Sequence, residues 1–143
     1  MRLIHYAMIA ALAAAPVQAH SGATGIVKTR MDAMKEMREA MRGLGMMTRG
    51  MMPYDAELQA RAVDILLTHA PEIEDWFPEE SLGGDSEALP LIAVERDAFN
   101  AIAVEFENSS RALADATTLE EAQPLIQAVS DTCSSCHRRY QDD

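Results

Sequence analysis

Apolar residues return along this chain at helical intervals, and no stretch alternates convincingly with the two-residue period of a half-buried strand. From about Thr24 to Met51, Val27, Met34 and Met41 recur every seven residues, with Met37 and Leu44 between them. Lys28, Lys35, Glu36 and Glu39 fall mostly elsewhere around the helix, so the Val27–Met41 row is expected to face the core. Gly43, Gly45 and Gly50 weaken the last turns, and Pro53 ends the element. Asp55 is a suitable N-cap for a second helix running to His69, with Leu58, Ala62, Ile65 and Leu66 on its buried face. The stretch APEIEDWFPEESLGGDSEALP, with its prolines, glycine pair and many acids, reads as a long connection. A third helix is expected from about Pro90 to Ala114, where Ile92, Phe99, Phe106 and Leu113 keep heptad spacing around Ile102. The fourth opens on a capping-box pattern, Thr118 to Glu121, and carries Leu125, Ile126 and Val129 towards the C-terminus. Pro124 either marks a later start for that helix or bends it. Four amphipathic helices and no sheet predict an all-α fold, an antiparallel up-down-up-down four-helix bundle.

The N-terminal nineteen residues do not belong to that pattern. Arg2 gives a short positive start, Leu3 to Val17 an apolar run, and Val17-Gln18-Ala19 a small-residue cleavage site. Residues 1–19 are therefore expected to be a cleaved secretory signal peptide, and residues 20–143 a single exported domain with no membrane span. Charge narrows the function classes. With 12 basic and 23 acidic residues the net charge is −11, which repels phosphate backbones and argues against nucleic-acid binding. It suits either a freely dissolved protein or one that docks on a basic patch of a partner. Aromatic residues make up only 5% of the chain. A core of Leu, Ile, Ala and Met alone is thin for four helices, and a large flat cofactor in the bundle would supply the missing apolar volume.

The chemistry is concentrated in DTCSSCHRRY, at the C-terminal end of the fourth helix. Cys133, Cys136 and His137 form C-x-x-C-H, the attachment pattern of c-type haem. Thiols about one helical turn apart can each bond one vinyl group of the porphyrin, and the adjacent His then projects under the ring towards the iron. Export to a compartment where haem is ligated agrees with the signal peptide. The competing uses fit less well. A disulfide between Cys133 and Cys136 leaves His137 unexplained. A thiol-redox pair belongs at a helix N-terminus. A zinc site needs further ligands, and only His20 and His69 remain as candidates.

A C-terminal C-x-x-C-H on the last helix of a four-helix bundle resembles the cytochrome c′ family. GIVKTRMDAM is similar to that family's first-helix segment, MPYDAELQARAVDIL to its second helix, DWFPEESLGGDS to its long connection and TCSSCHRRY to its haem motif. The resemblance covers all of residues 20–143. It implies one covalently bound haem c per chain, with thioethers at Cys133 and Cys136 and His137 as proximal iron ligand. It also implies Arg30 near a haem propionate, Met31 in contact with the haem, and Leu82, between Ser81 and Gly83, in the loop covering the haem edge.

The resemblance makes the distal position decisive. High-spin relatives carry a non-coordinating apolar residue there; low-spin relatives carry a Met whose sulfur closes the sixth site. The matching residue here is Met34, with Met37 or Met41 as substitutes in a segment that also holds Met31, Met46, Met47, Met51 and Met52. Met is equally a packing residue. Met34 ligation would give a periplasmic one-electron carrier with no catalytic residues. Without it the chain would be a five-coordinate haem protein binding nitric oxide or carbon monoxide. Two further points follow. The family commonly has a basic residue four positions after the ligand His, where this chain has Gln141. The family also often dimerises through its first two helices; Met46, Met47, Met51 and Met52 would either form such a homodimer patch or pack around the bend. His69 is expected to be a partly exposed His at a helix C-terminus.

Overall fold

Helix α1 (Gly25–Thr48) stops three residues before the expected limit, and its C-terminal backbone shows why. Gly50 takes φ +67°, its N–H reaches Met47 O (3.0 Å), and Met51 N–H reaches Met46 O (2.9 Å). This paired closure caps the last carbonyls and needs a left-handed residue, which glycine adopts without strain. The computed structural model describes residues 23–84 and 86–142. The expected signal segment and His20 lie outside the described residues.

Helix α2 (Ala56–His69) begins where expected, with Asp55 Oδ1 accepting from Leu58 N–H at 2.9 Å. Two short 3₁₀ turns, Ala70–Trp76 and Glu79–Ser81, give the long connection its form. The third expected helix is interrupted. A single turn, α3 (Leu91–Val94), is followed by a break at Glu95 (φ −111°, ψ 35°) and then by α4 (Arg96–Ala114). The heptad row survives the break, for Ile92, Phe99, Phe106 and Leu113 are all buried. Helix α5 (Leu119–Tyr140) runs unbroken through Pro124, which lies on an exposed position in its second turn. Thr118 caps Glu121 N–H (3.2 Å), but Glu121 Oε2 turns to Thr117 N–H (2.8 Å), one residue outside the expected box.

The core row of α1 is not Val27–Met34–Met41. The buried positions are Arg30, Ala33, Met37, Ala40, Leu44 and Met47, and the expected row is only half-buried beside them. The small Ala33 and Ala40 suit close packing, whereas Met34 and Met41 turn towards a cavity described below. Gly43 has a packing role as well: a Cβ there would come within 3.2 Å of Leu58 on α2.

Around the bundle α1 packs on α2, α2 on α4, α4 on α5, and α5 returns to α1 along the most open of the four sides. This is the expected four-helix bundle. The C-terminus is stitched to the long connection by Tyr140 O accepting from Leu89 N–H (2.9 Å) and Glu87 O accepting from Asp142 N–H (2.8 Å). Among the described residues no helix is long and apolar enough to cross a membrane.

Candidate cofactor site

The open α1–α5 side holds a cavity of about 550 Å³, within the range of cofactor pockets, roughly 300–1,000 Å³. One wall is α5, where the unbroken helix places Cys133, Cys136 and His137 together on its lining. The opposite wall is α1, with Met31, Met34, Met37 and Met41. Phe77, Ile92, Phe99 and Phe106 close the interior end. The cavity is thus flanked by two thiols, an imidazole and a thioether-rich helix, and lined mainly by apolar side chains.

The two cysteines are free, half-buried thiols. Burial pushes Cys133 up and, with Cys133 adding to the effect, pushes Cys136 up to about 11. A dithiol redox pair needs the opposite, a thiolate favoured near neutrality. Among the described residues no group of three or more His, Cys, Asp and Glu could hold a metal ion. The raised thiols speak against a dithiol redox pair. His137 is shifted down by burial, with Glu87 acting in the opposite sense. The net shift favours the neutral ring, the form that can ligate a metal.

Arg30 is the least ordinary member of the wall. It is only 4% exposed, and burial shifts its guanidinium downwards. Its acceptors among the described residues are uncharged: Trp76 O (3.1 Å), Ser81 Oγ (2.9 Å), Ser81 O (2.8 Å) and Ser86 Oγ. The ring of Phe77 lies 4.9 Å from its central carbon. A buried cation held by neutral dipoles at a cavity wall is suited to an anionic group in that cavity. Haem, flat and apolar with two carboxylates at one edge, matches the site on every count: thiols, imidazole, apolar walls and a buried cation.

The structure brings together most of the residues singled out in the sequence. Met31, 41% exposed, stands at the rim; Met37 is buried in the core row; Met34 and Met41 are half-buried on the lining. Leu82 packs against the core rather than lining the cavity, and the loop reaches Arg30 through Ser81 instead. Gln141, which stands where the resembled family commonly has a basic residue, lines the cavity and donates from Nε2 to Glu87 Oε2 (2.7 Å). His69 ends α2 half-buried, its Nε2 2.9 Å from Glu36 Oε2, away from the lining. The sequence reading missed Glu87, the hydroxyl of Ser86 and the carbonyl of Trp76. Nothing in their local sequence marks them, because the long connection alone brings them to Arg30 and His137.

Comparison with known proteins is consistent with this geometry. The sequence profile of the cytochrome c′ family matches residues 25–141. Cytochrome c′ of Pararhodospirillum photometricum is 28% identical over 122 residues, spanning 81% of this chain and 95% of that protein. Cytochrome c-556 of Agrobacterium tumefaciens (strain II Chrys) is 30% identical over 118 residues, spanning 81% and 96%. Among solved structures, cytochrome c′ from Rhodopseudomonas palustris superposes with a TM-score of 0.77 at 21% identity, over 85% of this chain and 98% of that one. An NMR-validated structural model of oxidised R. palustris cytochrome c556 gives 0.74 at 21% identity, over 82% and 96%.

Proposed function

The chain belongs to the cytochrome c′ family, c-type cytochromes with one covalent haem c, and from that premise we propose that it is a periplasmic one-electron carrier with His/Met-ligated, low-spin haem. Bound haem supplies the one-electron redox couple. The protein's own residues hold it and set its surroundings.

In this reading Cys133 and Cys136 fix the macrocycle to α5, and His137 presents its neutral imidazole from the same helix. Arg30 would meet the carboxylates of the haem, and Met31 would line its rim. Met34 offers its sulfur from the opposite wall. The observation that carries the proposal is that α1 and α5 place a half-buried Met and a His on facing walls of one cavity. A thioether and an imidazole that both stay bound in either oxidation state leave little to reorganise when an electron moves, and Met raises the potential relative to harder donors. With Met34 and His137 both engaged the site would offer no open position to a substrate, so no catalytic residue is assigned. The periplasmic location in this proposal rests on the sequence pattern of residues 1–19, which reads as an export segment.

Met41 lies on the same flank of α1, two turns and about 10 Å further along, so the two can be separated by substitution. In holoprotein, Met34→Ala is expected to abolish the ferric sulfur-to-iron charge-transfer band and to let the reduced protein bind carbon monoxide at once. Met41→Ala is expected to keep the band. If wild-type protein already binds carbon monoxide immediately and shows broad high-spin bands, the five-coordinate gas-binding reading replaces this one.

A further inference from the structure

We propose that the opening of this cavity is a docking surface for a redox partner that presents an acidic patch. The inference rests on the electron-carrier reading and concerns the partner. Net charge alone points the other way, because a chain at −11 favours a basic partner. The distribution of charge on α1 reverses that expectation locally.

At 100° per residue, Met31, Lys35, Arg38 and Arg42 share one flank of α1 about 60° wide, next to the lining positions Met34 and Met41. Asp32, Glu36 and Glu39 fall on the other flank, and Glu36 reaches across to His69 of α2. The helix is therefore split lengthwise, with cations on the cavity side and acids on the α2 side. Lys35 and Arg38 are exposed and line the cavity mouth; Arg42 is exposed one turn on. Arg138 is exposed on α5, one residue after His137.

These four cations also differ from most others in their pairing. Lys28, Arg61, Arg111 and Arg139 each meet a carboxylate. Among the described residues Lys35, Arg38, Arg42 and Arg138 form no ion pair. Among the described residues Glu87 is the one carboxylate on the lining, and it accepts from Gln141. On the lining itself Lys35, Arg38 and the buried Arg30 stand against Glu87 and the two carboxylates haem would bring, so the positive surplus lies with Arg42 on the next turn of α1. Met31, at 41% exposure, adds an apolar contact among Arg and Lys side chains, the mixture of apolar centre and charged rim found at protein interfaces. A Debye length of about 8 Å at physiological salt screens the distant acids more than this local patch.

The test uses holoprotein and two small oxidants of opposite charge, hexacyanoferrate(III) and tris(phenanthroline)cobalt(III). Oxidation of the reduced protein by the anion should slow severalfold as ionic strength rises from about 0.1 M to about 1 M, a range in which the screening length stays at or below about 10 Å. The cationic oxidant should show the opposite slope or none. Lys35→Glu with Arg38→Glu should invert the anion's salt dependence while the visible spectrum stays unchanged. Decaglutamate peptide should shift amide resonances of residues 31–42 and 134–138 in the reduced wild type, and should lose that effect in the double variant. An anionic oxidant that speeds up with salt in the wild type would overturn the proposal, as would peptide shifts elsewhere or absent. Hexacyanoferrate accepts an electron from haem whether or not Met34 is a ligand. A failed salt slope is therefore distinguishable from a failed electron-carrier reading, which carbon monoxide binding reports.

Discussion

Arg30 shows how much one side chain can be asked to do in this fold. Its charge is buried, and its two terminal nitrogens meet four acceptors from Trp76, Ser81 and Ser86. A planar fork can serve diverging acceptors in this way; a lysine ammonium, with three donors on one atom, cannot. Arg30→Lys keeps the charge and breaks the fork. It is expected to lower the unfolding free energy of holoprotein by about 2 kcal/mol, the order of a lost hydrogen bond to a charged group plus a stranded acceptor. The denaturant midpoint at unchanged m-value checks this. The same residue-scale logic separates the methionines. Met47 is wholly buried and its sulfur accepts from Asp55 N–H at 3.2 Å, while Met46 and Met52 are half-buried. Of the four methionines near the bend only Met51, at 66% exposure, is left open, which favours packing around the α1–α2 bend over a homodimer patch.

At the scale of elements, the break at Glu95 separates α3 from α4 and gives α5 an anchor. Glu95 Oε2 accepts from Arg139 Nε (2.8 Å) and Tyr140 Oη (3.1 Å), two and three residues beyond His137. The hydrogen bond from Arg139 is the main reason its carboxyl lies below the ordinary range, with burial opposing and Tyr140 assisting. A folded-state pKa below the unfolded one means the unfolded chain binds more protons, so stability rises with pH through this window. The contribution is present above the ordinary carboxyl value, about 4.3, and is lost as pH falls through the lower folded value. Wild-type protein is therefore expected to exceed Glu95→Gln in denaturant midpoint at neutral pH and to converge with it in acid. Equal pH slopes for the two proteins would remove Glu95 from this role. Gly83 offers a second element-scale test. It holds φ +71° while donating to Ala88 O (2.7 Å), and a Cβ there would meet Pro90 at 3.3 Å. Gly83→Ala should cost about 1–2 kcal/mol from left-handed backbone strain, read as a lower thermal midpoint.

For the molecule as a whole, the decisive feature is that the ring of four helices is closed on three sides and open on the fourth. The α1–α5 side is held apart around the cavity, where the haem of this family belongs. The cofactor is then part of the core as well as the redox centre. Replacing Cys133 and Cys136 by Ser should give a haem-free chain that keeps much of its helical far-ultraviolet signal. Its unfolding should lose cooperativity and its midpoint should fall well below that of holoprotein, because ligand binding energy is folding energy when the ligand fills the core. Calorimetry of the two forms is the check. A haem-free chain as stable and cooperative as holoprotein would mean the core closes without it.

Much of this protein was legible along the chain because its signals are local. Heptad spacing at Ile92, Phe99, Phe106 and Leu113 identified a buried helical face, Asp55 and Thr118 marked helix starts, and C-x-x-C-H named the chemistry at Cys133, Cys136 and His137. Each depends on residues within a turn or two of one another, which a helix fixes whatever surrounds it. What needed the tertiary structure was everything that depends on which face meets which neighbour. Periodicity offered two rows on α1, and packing against α2 and the long connection buried the one containing Arg30 and Met37, leaving Met34 and Met41 half-buried. The two hydroxyls and two carbonyls around Arg30 lie some fifty residues away in sequence. The break at Glu95 answers to Arg139 and Tyr140 on another helix, and the tether from Gln141 to Glu87 joins two loops. The sequence by itself determined the elements and the haem chemistry, since both are written at short range; only the fold decided the shape of the cavity, its buried cation and its basic rim, since those are sums over distant residues.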